Sequence, residues 1–349
     1  MTQAQTDTAL TDDVPGFVRL RVKAVVRETA DASSLVFDVP AAQAEAFRYR
    51  PGQFLTLRQM VGGEALLRNY SLASAPGVDA DPKVTIKRVA DGRVSNAVLD
   101  TVQAGDAMWV MPPKGVFCLR EGRAPVTLFA AGSGITPVIS ILKQILTTTD
   151  RKVTLVYANR DPEQIIFREE LGRLHAQYGA RMRLVHRLDS IQGILTAAEV
   201  QGHADPAAEY YLCGPAPFMA AVREGLLLGG VPAARVLLES FDPVADDTPP
   251  AEAPADGEGA RVTIRYKGEE HQIAVATGET IHAAAARQGL NLPFSCKAAF
   301  CGLCIARVTA GSVTLQDNLG GISDAQIAEG LTLTCQALVD GTEAAIAFD

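Results

Sequence analysis

The chain has 349 residues, 48% of them hydrophobic, and carries a formal net charge of −8 with an isoelectric point near 5.3. At roughly 150 residues per domain, this length predicts two or three domains. The acidic balance argues against a nucleic-acid partner, because few cations are available to neutralise phosphates. No apolar stretch approaches the ~18 residues of a membrane span, and the polar N-terminus lacks a secretory signal, so we expect a cytoplasmic protein.

The first region, residues 16–121, has the pattern of antiparallel β structure. Between Pro and Gly punctuation lie short apolar runs that we predict as strands, at residues 17–26, 34–39, 54–57, 84–89 and 107–111. This spacing is typical of an antiparallel barrel or sandwich. Two polar motifs each follow a predicted strand: Arg68-Asn69-Tyr70-Ser71 and Gly92-Arg93-Val94-Ser95.

These polar motifs have the chemistry of a flavin site. Arg68 can neutralise a pyrophosphate, the Tyr70 ring can lie against an isoalloxazine, and the Ser71 hydroxyl can bond its N5 atom. Gly92 opens a turn before a predicted helix at residues 95–99, whose free N–H groups suit phosphate. Taken alone, this four-residue motif is weak evidence, because a solvated arginine near a half-buried tyrosine is its more usual explanation.

The second region, residues 122–242, alternates strand-like and helical patterns. The predicted strands are 126–130, 153–158, 182–186, 210–213 and 236–238, and the predicted helices are 137–146, 164–177 and 217–227. Such alternation predicts a parallel sheet of the α/β class.

Two motifs of this α/β region suit a dinucleotide. The turn Gly132-Ser133-Gly134-Ile135-Thr136-Pro137 joins a strand to a helix, where glycines let the backbone approach a pyrophosphate and the helix N-terminus supplies N–H donors. Cys213-Gly214-Pro215 ends another strand at the same sheet edge, although a free cysteine is more often a small buried hydrophobe. Asn159 and Arg160 follow a third strand. Arg160 can take a 2′-phosphate, stack on adenine or pair with Asp161, so NADH and NADPH both remain open.

Residues 243–259 separate this region from the last one. They are rich in Pro, Ala and acidic residues and contain too little apolar surface to offset their ordering entropy, so we predict a linker. A flexible tether that lets the last domain move and a plain spacer are both compatible with this composition.

The last region, residues 260–349, contains a clustered set of cysteines. A predicted hairpin at 261–266 and 270–275 and an alanine-rich helix at 280–288 precede Cys296-x4-Cys301-x2-Cys304, and Cys335 follows after thirty further residues. This is the spacing of plant-type [2Fe–2S] ligands. Structural zinc sites usually show two separated pairs, and a Rieske centre needs two His ligands, whereas all five His lie outside this loop.

The cysteine region resembles plant-type ferredoxin domains. The resemblance rests on Pro293-Phe294-Ser295-Cys296-Lys297 and on Leu333-Thr334-Cys335-Gln336-Ala337, and it implies a β-grasp fold in which Cys296, Cys301, Cys304 and Cys335 hold the cluster. One departure is Ala299, where the family usually has Gly. If the backbone needs a positive φ there, the alanine is strained.

Residues 16–242 resemble the ferredoxin-NADP reductase superfamily, in which a flavin barrel with R-x-Y-S precedes a nicotinamide domain. The resemblance implies that one group of residues holds the flavin and its phosphates: Arg68, Asn69, Tyr70, Ser71, Lys87, Arg88, Val89, Arg93, Val94 and Ser95. Phthalate-dioxygenase-type reductases share this arrangement but carry FMN. The run 87–96 is more similar to the FAD-using reductases of phenylacetyl-CoA epoxidase and ketosteroid hydroxylase, which favours FAD.

The same resemblance implies a nicotinamide site. Its expected contacts are Gly132, Ser133, Gly134, Thr136, Asn159, Arg160, Cys213, Gly214 and Pro215. Cys213 would lie beside the hydride-carrying carbon, Glu239 would assist near the nicotinamide and Phe241 would pack by the flavin. Ser240 stands where the family has a basic residue. Ser71, Cys213 and Glu239 are therefore the candidate catalytic residues.

Together these regions predict a multidomain electron-transfer protein. Its expected parts are an antiparallel β-barrel FAD domain (16–121), a parallel α/β NAD(P) domain (122–242), a linker (243–259) and a β-grasp [2Fe–2S] ferredoxin domain (260–349). The order predicts the reductase component of an oxygenase, in which NADH or NADPH reduces FAD and electrons pass singly through the cluster to a separate iron-containing oxygenase chain. The alternatives are a stand-alone NAD(P)H oxidoreductase that reduces a soluble acceptor, and a non-enzymatic thiol or zinc switch at Cys301 and Cys304.

Overall fold

The computed structural model describes residues 14, 16–241, 259–294, 299, 302–316, 318 and 321–348. These residues form three sheets, each with a buried hydrophobic core. The predicted linker lies outside the described residues except for its last residue, Gly259, and so do two of the four predicted cluster ligands, Cys296 and Cys301.

The first sheet is antiparallel and curls towards closure. Its strands are β1 (Val18–Arg27), β2 (Ala32–Asp38), β3 (Phe54–Val61), β4 (Glu64–Ser71), β5 (Lys83–Lys87) and β6 (Ala107–Val110), in the order β4-β3-β6-β1-β2-β5. The two edges meet where Leu72, just after β4, forms an antiparallel bridge with Val84 of β5. The helix α1 (Arg93–Thr101) adds Val94 and Val98 to the core of this half-barrel. The predicted antiparallel flavin fold is therefore confirmed.

Strand β4 was not among the strands predicted from the sequence. Arg68-Asn69-Tyr70-Ser71 is the end of β4 itself, rather than a segment after a strand. The physical reason is that β4 lies at a sheet edge and pairs through its length with β3. Its side chains are mostly half-exposed, so its sequence lacks the alternation that marks a half-buried strand.

The second sheet is parallel. Its strands are β7 (Val126–Ala131), β8 (Val153–Asn159), β9 (Met182–Leu188), β10 (Glu209–Cys213) and β11 (Val236–Glu239), in the order β11-β10-β7-β8-β9. The accompanying helices are α2 (Ile135–Thr148), α3 (Arg168–Tyr178), α4 (Asp189–Gln192), α5 (Ala197–Gln201) and α6 (Ala216–Leu228). The chain runs outward from β7 to β9 and then returns to place β10 on the other side of β7. This reversal creates a switch point, where ligands of open α/β sheets bind.

The third sheet is mixed. Its strands are β12 (Ala260–Tyr266), β13 (Glu269–Val275), β14 (Ile305–Leu315), β15 (Leu331–Leu333) and β16 (Ala337–Ala347), in the order β13-β12-β16-β14-β15. Strands β12 and β16 run parallel and the other neighbours antiparallel. The helix α7 (Ile281–Arg287) buries Ile281, Ala284 and Ala285 in the core of this sheet, and the short helix α8 (Asp324–Ala328) precedes β15.

Buried polar contacts join the first and second sheets. Lys143 of α2 is buried and its Nζ lies 2.7 Å from Asp79 and 2.9 Å from Glu170 of α3. Lys83 of β5 pairs with the same Glu170 at 3.1 Å. The Ser140 hydroxyl also donates a 2.6 Å hydrogen bond to the carbonyl of Ser74. We call Lys83, Asp79, Lys143 and Glu170 the junction charge cluster.

In the described part of the chain, no helix combines the length and the apolar character that a bilayer crossing requires.

Candidate functional site

The two predicted dinucleotide motifs meet at the switch point of the parallel sheet. Gly132 follows β7 directly, and Cys213 is the last residue of β10, the neighbouring strand. A Cβ atom on Gly134 would lie 2.1 Å from the carbonyl oxygen of Cys213, and one on Gly214 would lie 2.9 Å from the Cβ of Ala131. Only glycine allows these two backbones to touch, so the pair forms the floor of a crevice at the carboxyl ends of the strands.

The glycine turn has a fixed shape. Gly132 adopts φ +53°, a left-handed conformation that suits glycine. Its carbonyl accepts a 2.9 Å hydrogen bond from the Tyr157 hydroxyl, and the carbonyl of Ser133 accepts one of 3.1 Å from the Thr136 hydroxyl. Helix α2 begins at Ile135, so its N-terminal N–H groups and positive dipole end lie at the crevice. This arrangement fits a pyrophosphate.

Asn159 and Arg160 lie at the carboxyl end of β8, as predicted. Asn159 is 4% exposed, and within the described part of the protein neither polar atom of its amide makes a hydrogen bond of full geometry. The amide nevertheless lies close enough to the Tyr157 hydroxyl to counteract the rise in the pKa of that phenol that burial causes. Buried amides are normally satisfied, so this side chain suits a polar ligand. The Arg160 side chain is exposed, while its carbonyl accepts a 3.0 Å hydrogen bond from the N–H of Ser190. These contacts fit the ribose end of a dinucleotide without deciding between NADH and NADPH.

Cys213 and Glu239 face each other in neighbouring strands, β10 and β11. The Cys213 side chain is fully buried, and this burial, with a further contribution from the Glu239 carboxylate, raises the pKa of the thiol well above its usual value. Cys213 is therefore a neutral thiol at physiological pH, so it supplies shape and backbone contacts rather than a thiolate. Its predicted place beside a nicotinamide carbon stays a prediction.

A large cleft lies beside this crevice. Its volume is about 2090 Å³, above the ~300–1,000 Å³ typical of small-molecule pockets. Most predicted flavin residues and three further predicted residues of the two reductase regions line it: Arg68, Asn69, Tyr70, Ser71, Lys87, Val89, Arg93, Val94, Ser95, Ser133, Thr136 and Phe241. The structure therefore gathers the motifs from both reductase regions along one wall.

Arg88 is a predicted flavin residue that does not line the cleft. Its guanidinium instead pairs with Asp100 of α1 at 2.5 Å and donates to Asn96 at 3.2 Å. Lys87 is the last residue of β5, and the two residues after it lie outside any helix or strand. Lys87 and Val89 line the cleft, while Arg88 is held by its contacts with α1.

The flavin wall carries polar groups suited to a ring system. The Ser71 hydroxyl is buried without a hydrogen-bond partner among the described residues, and it lines the cleft. Burial raises the pKa of Tyr70 to about 12, with Arg68 acting in the opposite direction. The phenol is therefore neutral at physiological pH and can pack against a flat ring. The N-terminus of α1, capped by Gly92, adds N–H groups where a flavin phosphate is expected.

The opposite wall of the cleft belongs to the ferredoxin region. Tyr266, His282, Phe294, Leu303 and Cys335 all line it. One predicted cluster ligand thus faces the same cleft as Tyr70 and Ser71. No signal in the sequence foretold which side chains of this region would face the flavin wall, because that depends on how the two regions pack.

The two described cluster ligands lie together in an apolar core. Cys304 and Cys335 are buried with Ala299, Ile322 and Leu333. The N–H and hydroxyl of Thr334 both donate to the carbonyl of Cys304, at 3.0 and 3.2 Å. These bonds hold two segments that are thirty residues apart in register, and the paired buried thiols fit a [2Fe–2S] cluster.

The backbone before Cys304 is left-handed at two residues. Ala299 has φ +57° and Gly302 has φ +72°. The backbone therefore meets the condition under which Ala299 is strained, and the alanine carries strain that a glycine would not. The Ala299 carbonyl accepts a 2.8 Å hydrogen bond from the N–H of Gly321. Within the described ranges no group of three or more candidate metal ligands occurs, since Cys296 and Cys301 lie outside them.

Family models match all three regions of the chain. An oxidoreductase FAD-binding domain matches residues 19–118, and an oxidoreductase NAD-binding domain matches residues 128–224. A 2Fe-2S iron-sulfur cluster binding domain matches residues 264–340. These matches confirm the predicted cofactors FAD, nicotinamide dinucleotide and [2Fe–2S] cluster.

Complete proteins with the same arrangement are similar to the chain over nearly its whole length. It is 43% identical over 331 residues to the ferredoxin reductase component of 3-ketosteroid-9-alpha-monooxygenase from Rhodococcus rhodochrous, covering 92% of this chain and 93% of that protein. It is 33% identical over 359 residues to one subunit of the 1,2-phenylacetyl-CoA epoxidase of Escherichia coli (strain K12), covering 95% and 98%. The solved structure of phthalate dioxygenase reductase matches with a TM-score of 0.60 and 25% identity, covering 95% and 98%.

Proposed function

Because this chain belongs to the family of oxygenase reductase components with FAD-binding, NAD-binding and 2Fe-2S domains, we propose how its residues divide the work of electron transfer to a terminal oxygenase. When bound, FAD accepts the two electrons of a hydride from NADH or NADPH and releases them singly to the [2Fe–2S] cluster. The chain's own residues bind, orient and enclose these groups.

One observation carries this proposal. A single cleft has residues of the flavin motif on one wall, Ser133 and Thr136 of the dinucleotide turn at one end, and Cys335 on the other wall. An electron carrier that links three redox groups needs them close together. The sequence distributes these residues over more than 260 positions, from Arg68 to Cys335, and the fold brings them to one place.

Within the reductase half, the residues bind and orient the two organic cofactors. The glycine turn presents N–H groups to the dinucleotide pyrophosphate, while Asn159 offers its buried amide to the ribose end. With FAD bound, the neutral ring of Tyr70 would pack against the isoalloxazine, and the unsatisfied Ser71 hydroxyl would be available to hydrogen-bond the flavin. Glu239 acts near the nicotinamide, and the buried Cys213 backbone shapes the floor of the site. Burial and hydrogen-bonding state support these proposed roles.

In the ferredoxin half, Cys296, Cys301, Cys304 and Cys335 ligate the cluster. Burial in an apolar core protects it, and Cys335 places one ligand at the cleft, on the side from which electrons arrive from the flavin. We propose the domain limits 16–121, 122–242 and 260–349 for the three parts, with residues 243–259 as the tether. A tether of this composition keeps the ferredoxin domain at high effective concentration near the flavin while leaving it able to meet a partner.

The partner is a separate iron-containing oxygenase chain. The similar proteins are components of systems named for a ketosteroid, phenylacetyl-CoA and glycine betaine. Reductases of one family therefore occur in oxygenase systems with unrelated substrates. We propose that the oxygenase chain alone selects the organic substrate. We also propose the cytoplasm as the site of action, because a reducing compartment keeps the cluster thiolates available.

An anaerobic titration tests the proposed function. The full-length protein, loaded with FAD, iron and sulfide, is titrated with NADH and with NADPH while the visible spectrum is recorded. We expect both the flavin and the iron–sulfur bands to lose absorbance, and cytochrome c to be reduced when added. A colourless protein that binds only zinc would refute the reductase assignment. Rapid electron transfer to cytochrome c with none to an added oxygenase would instead support the stand-alone alternative.

A further inference from the structure

Tyr157 has a contact that the cofactor assignments leave unexplained. It lies on β8, is fully buried, and its hydroxyl donates a 2.9 Å hydrogen bond to the carbonyl of Gly132. Gly132 is the first residue of the dinucleotide turn and adopts a left-handed φ of +53°. A Cβ there would meet nothing within 4 Å. The glycine is therefore required for the direction of its backbone and not for space.

The direction of one carbonyl determines the direction of the next N–H group. In a planar trans peptide the C=O of one residue and the N–H of the following residue point to opposite sides. Tyr157 draws the Gly132 carbonyl inward, so the N–H of Ser133 points away from Tyr157. Ser133 lines the cleft. The tyrosine hydroxyl thus aims a backbone donor at the place where a pyrophosphate is expected.

Two neighbouring contacts also hold the glycine turn in a fixed shape. The Thr136 hydroxyl donates a hydrogen bond to the carbonyl of Ser133, and Gly134 packs directly against the Cys213 backbone. The turn is thereby held at three consecutive residues. Of these three restraints, only the Tyr157 bond comes from a side chain on another strand, and it can be removed by deleting a single oxygen atom.

We propose that Tyr157 is a positioning residue for the dinucleotide pyrophosphate, acting through the Gly132–Ser133 peptide. The inference rests on the proposed function, since it takes NADH or NADPH as the ligand of this turn. Tyr157 itself does not touch the ligand. The N–H of Ile135 also donates to the Gly132 carbonyl. The tyrosine hydroxyl adds a second bond that keeps the peptide in the orientation that binds phosphate, and without it that orientation is held less firmly.

Tyr157→Phe in the full-length holoprotein tests this role. We expect the KM for the preferred nicotinamide dinucleotide to rise about 2- to 12-fold, the range that corresponds to the ~0.5–1.5 kcal/mol of one hydrogen bond. We expect kcat with cytochrome c to change much less. Isothermal titration should show weaker binding of ADP-ribose, which contains the pyrophosphate, and unchanged binding of adenosine, which lacks it.

Tyr210→Phe is the matched control. Tyr210 is also buried in the same sheet, on β10, and its hydroxyl bonds both the N–H and the carbonyl of Asp205 at 2.7 and 3.0 Å. Both variants should lower the melting temperature similarly, but only Tyr157→Phe should affect KM and ADP-ribose binding. Equal ligand binding in the two variants would overturn the positioning role. Weaker ADP-ribose binding in a protein whose wild type cannot reduce cytochrome c would instead count against the proposed function and leave the positioning role standing.

Discussion

The protein has two junctions between its redox regions, and they differ in construction. The flavin and nicotinamide regions meet through the junction charge cluster and the buried Ser140–Ser74 bond. The flavin and ferredoxin regions face each other across a cleft of about 2090 Å³. Hydride transfer requires reacting atoms within about 3–3.5 Å, so a fixed first junction suits it. A ferredoxin domain that serves a separate chain must also remain accessible to that chain.

The junction between the flavin and nicotinamide regions, called the first junction below, contains buried charges that depend on one another. Lys143 is 3% exposed along its side chain, and Glu170 lies between Lys143 and Lys83. Burial alone would raise the pKa of Glu170, but the two lysines outweigh it and lower the pKa below its usual value. Charges buried in this way are stable only while every partner is present. The comparison therefore predicts that the two junctions respond to different perturbations.

Removing one cluster ligand should produce the largest effect, and this effect should be confined to electron transfer through the ferredoxin region. Cys304→Ser is expected to prevent stable cluster binding, because a [2Fe–2S] cluster needs four ligands. Reduction of cytochrome c should be almost abolished, while NADH-dependent reduction of ferricyanide by the flavin region should persist. Visible spectra and the two steady-state assays measure this.

Cys118→Ser is the control for Cys304→Ser. Cys118 is also a buried cysteine, but it belongs to the flavin region. This variant should keep both cofactor spectra and both activities. Loss of ferricyanide reduction in Cys304→Ser would mean that the two regions do not function separately.

Breaking the junction charge cluster should have the next largest effect. Lys143→Met keeps the apolar stem but leaves Asp79 and Glu170 without their shared cation, which for a buried pair costs about 3–5 kcal/mol. We expect a markedly lower melting temperature and slower flavin reduction by NADH. Scanning calorimetry and stopped-flow reduction measure the two quantities.

Lys23→Met provides a matched comparison for Lys143→Met. Lys23 pairs with Asp81 at the same distance of 2.7 Å, but its side chain is 55% exposed. Solvent screens an exposed pair, which contributes little to stability, so this variant should melt close to the wild type. Similar losses in both variants would show that burial does not distinguish the two pairs.

Acid should weaken the first junction through Glu170. A carboxyl whose folded-state pKa is lowered contributes stability above the ordinary glutamate pKa of about 4.3, and this contribution is lost as the pH falls through the lowered value. The melting temperature of the wild type should therefore drop steeply in that window. Glu170→Gln should be less stable at neutral pH and should show a shallower drop.

Glu28 supplies a contrast of opposite sign in the same neighbourhood. Burial raises the pKa of Glu28, despite the hydrogen bond from Ser34. The charged form of Glu28 therefore lowers stability at neutral pH, and Glu28→Gln should raise the melting temperature at neutral pH.

If Glu170→Gln keeps the full acid sensitivity of the wild type, a group other than Glu170 is responsible for the loss of stability in acid.

The smallest expected effect concerns the cluster loop. Ala299 holds φ +57°, and Ala299→Gly should relieve about 1 kcal/mol of left-handed strain, partly offset by the added flexibility of glycine in the unfolded chain. The loaded protein should lose its iron–sulfur absorbance more slowly in the presence of a chelator. Ala285→Gly, in the buried face of α7, should do the opposite and lower stability by a similar amount. Faster cluster loss in Ala299→Gly would contradict the strain interpretation.

Some features of this molecule are visible in local sequence patterns, whereas others depend on how distant segments pack. The strands of the parallel sheet were predictable because buried strands carry continuous apolar runs. Strand β4 was missed because an edge strand with half-exposed side chains shows no such pattern. The charged residues of the junction cluster look like ordinary surface residues in the sequence, since nothing local distinguishes Lys143 on α2 from the exposed Lys23 on β1.

The sequence by itself determined the cofactors and their order. Cysteine spacing, the glycine turn and Arg68-Asn69-Tyr70-Ser71 are short-range patterns, and their chemistry depends on residue type and spacing alone. Only the tertiary structure decided which residues act together: that Tyr157 holds the Gly132 carbonyl, that Arg88 turns to Asp100, and that Cys335 shares a cleft with Ser71. Those contacts join separate elements of the chain, and their geometry follows from how the elements pack.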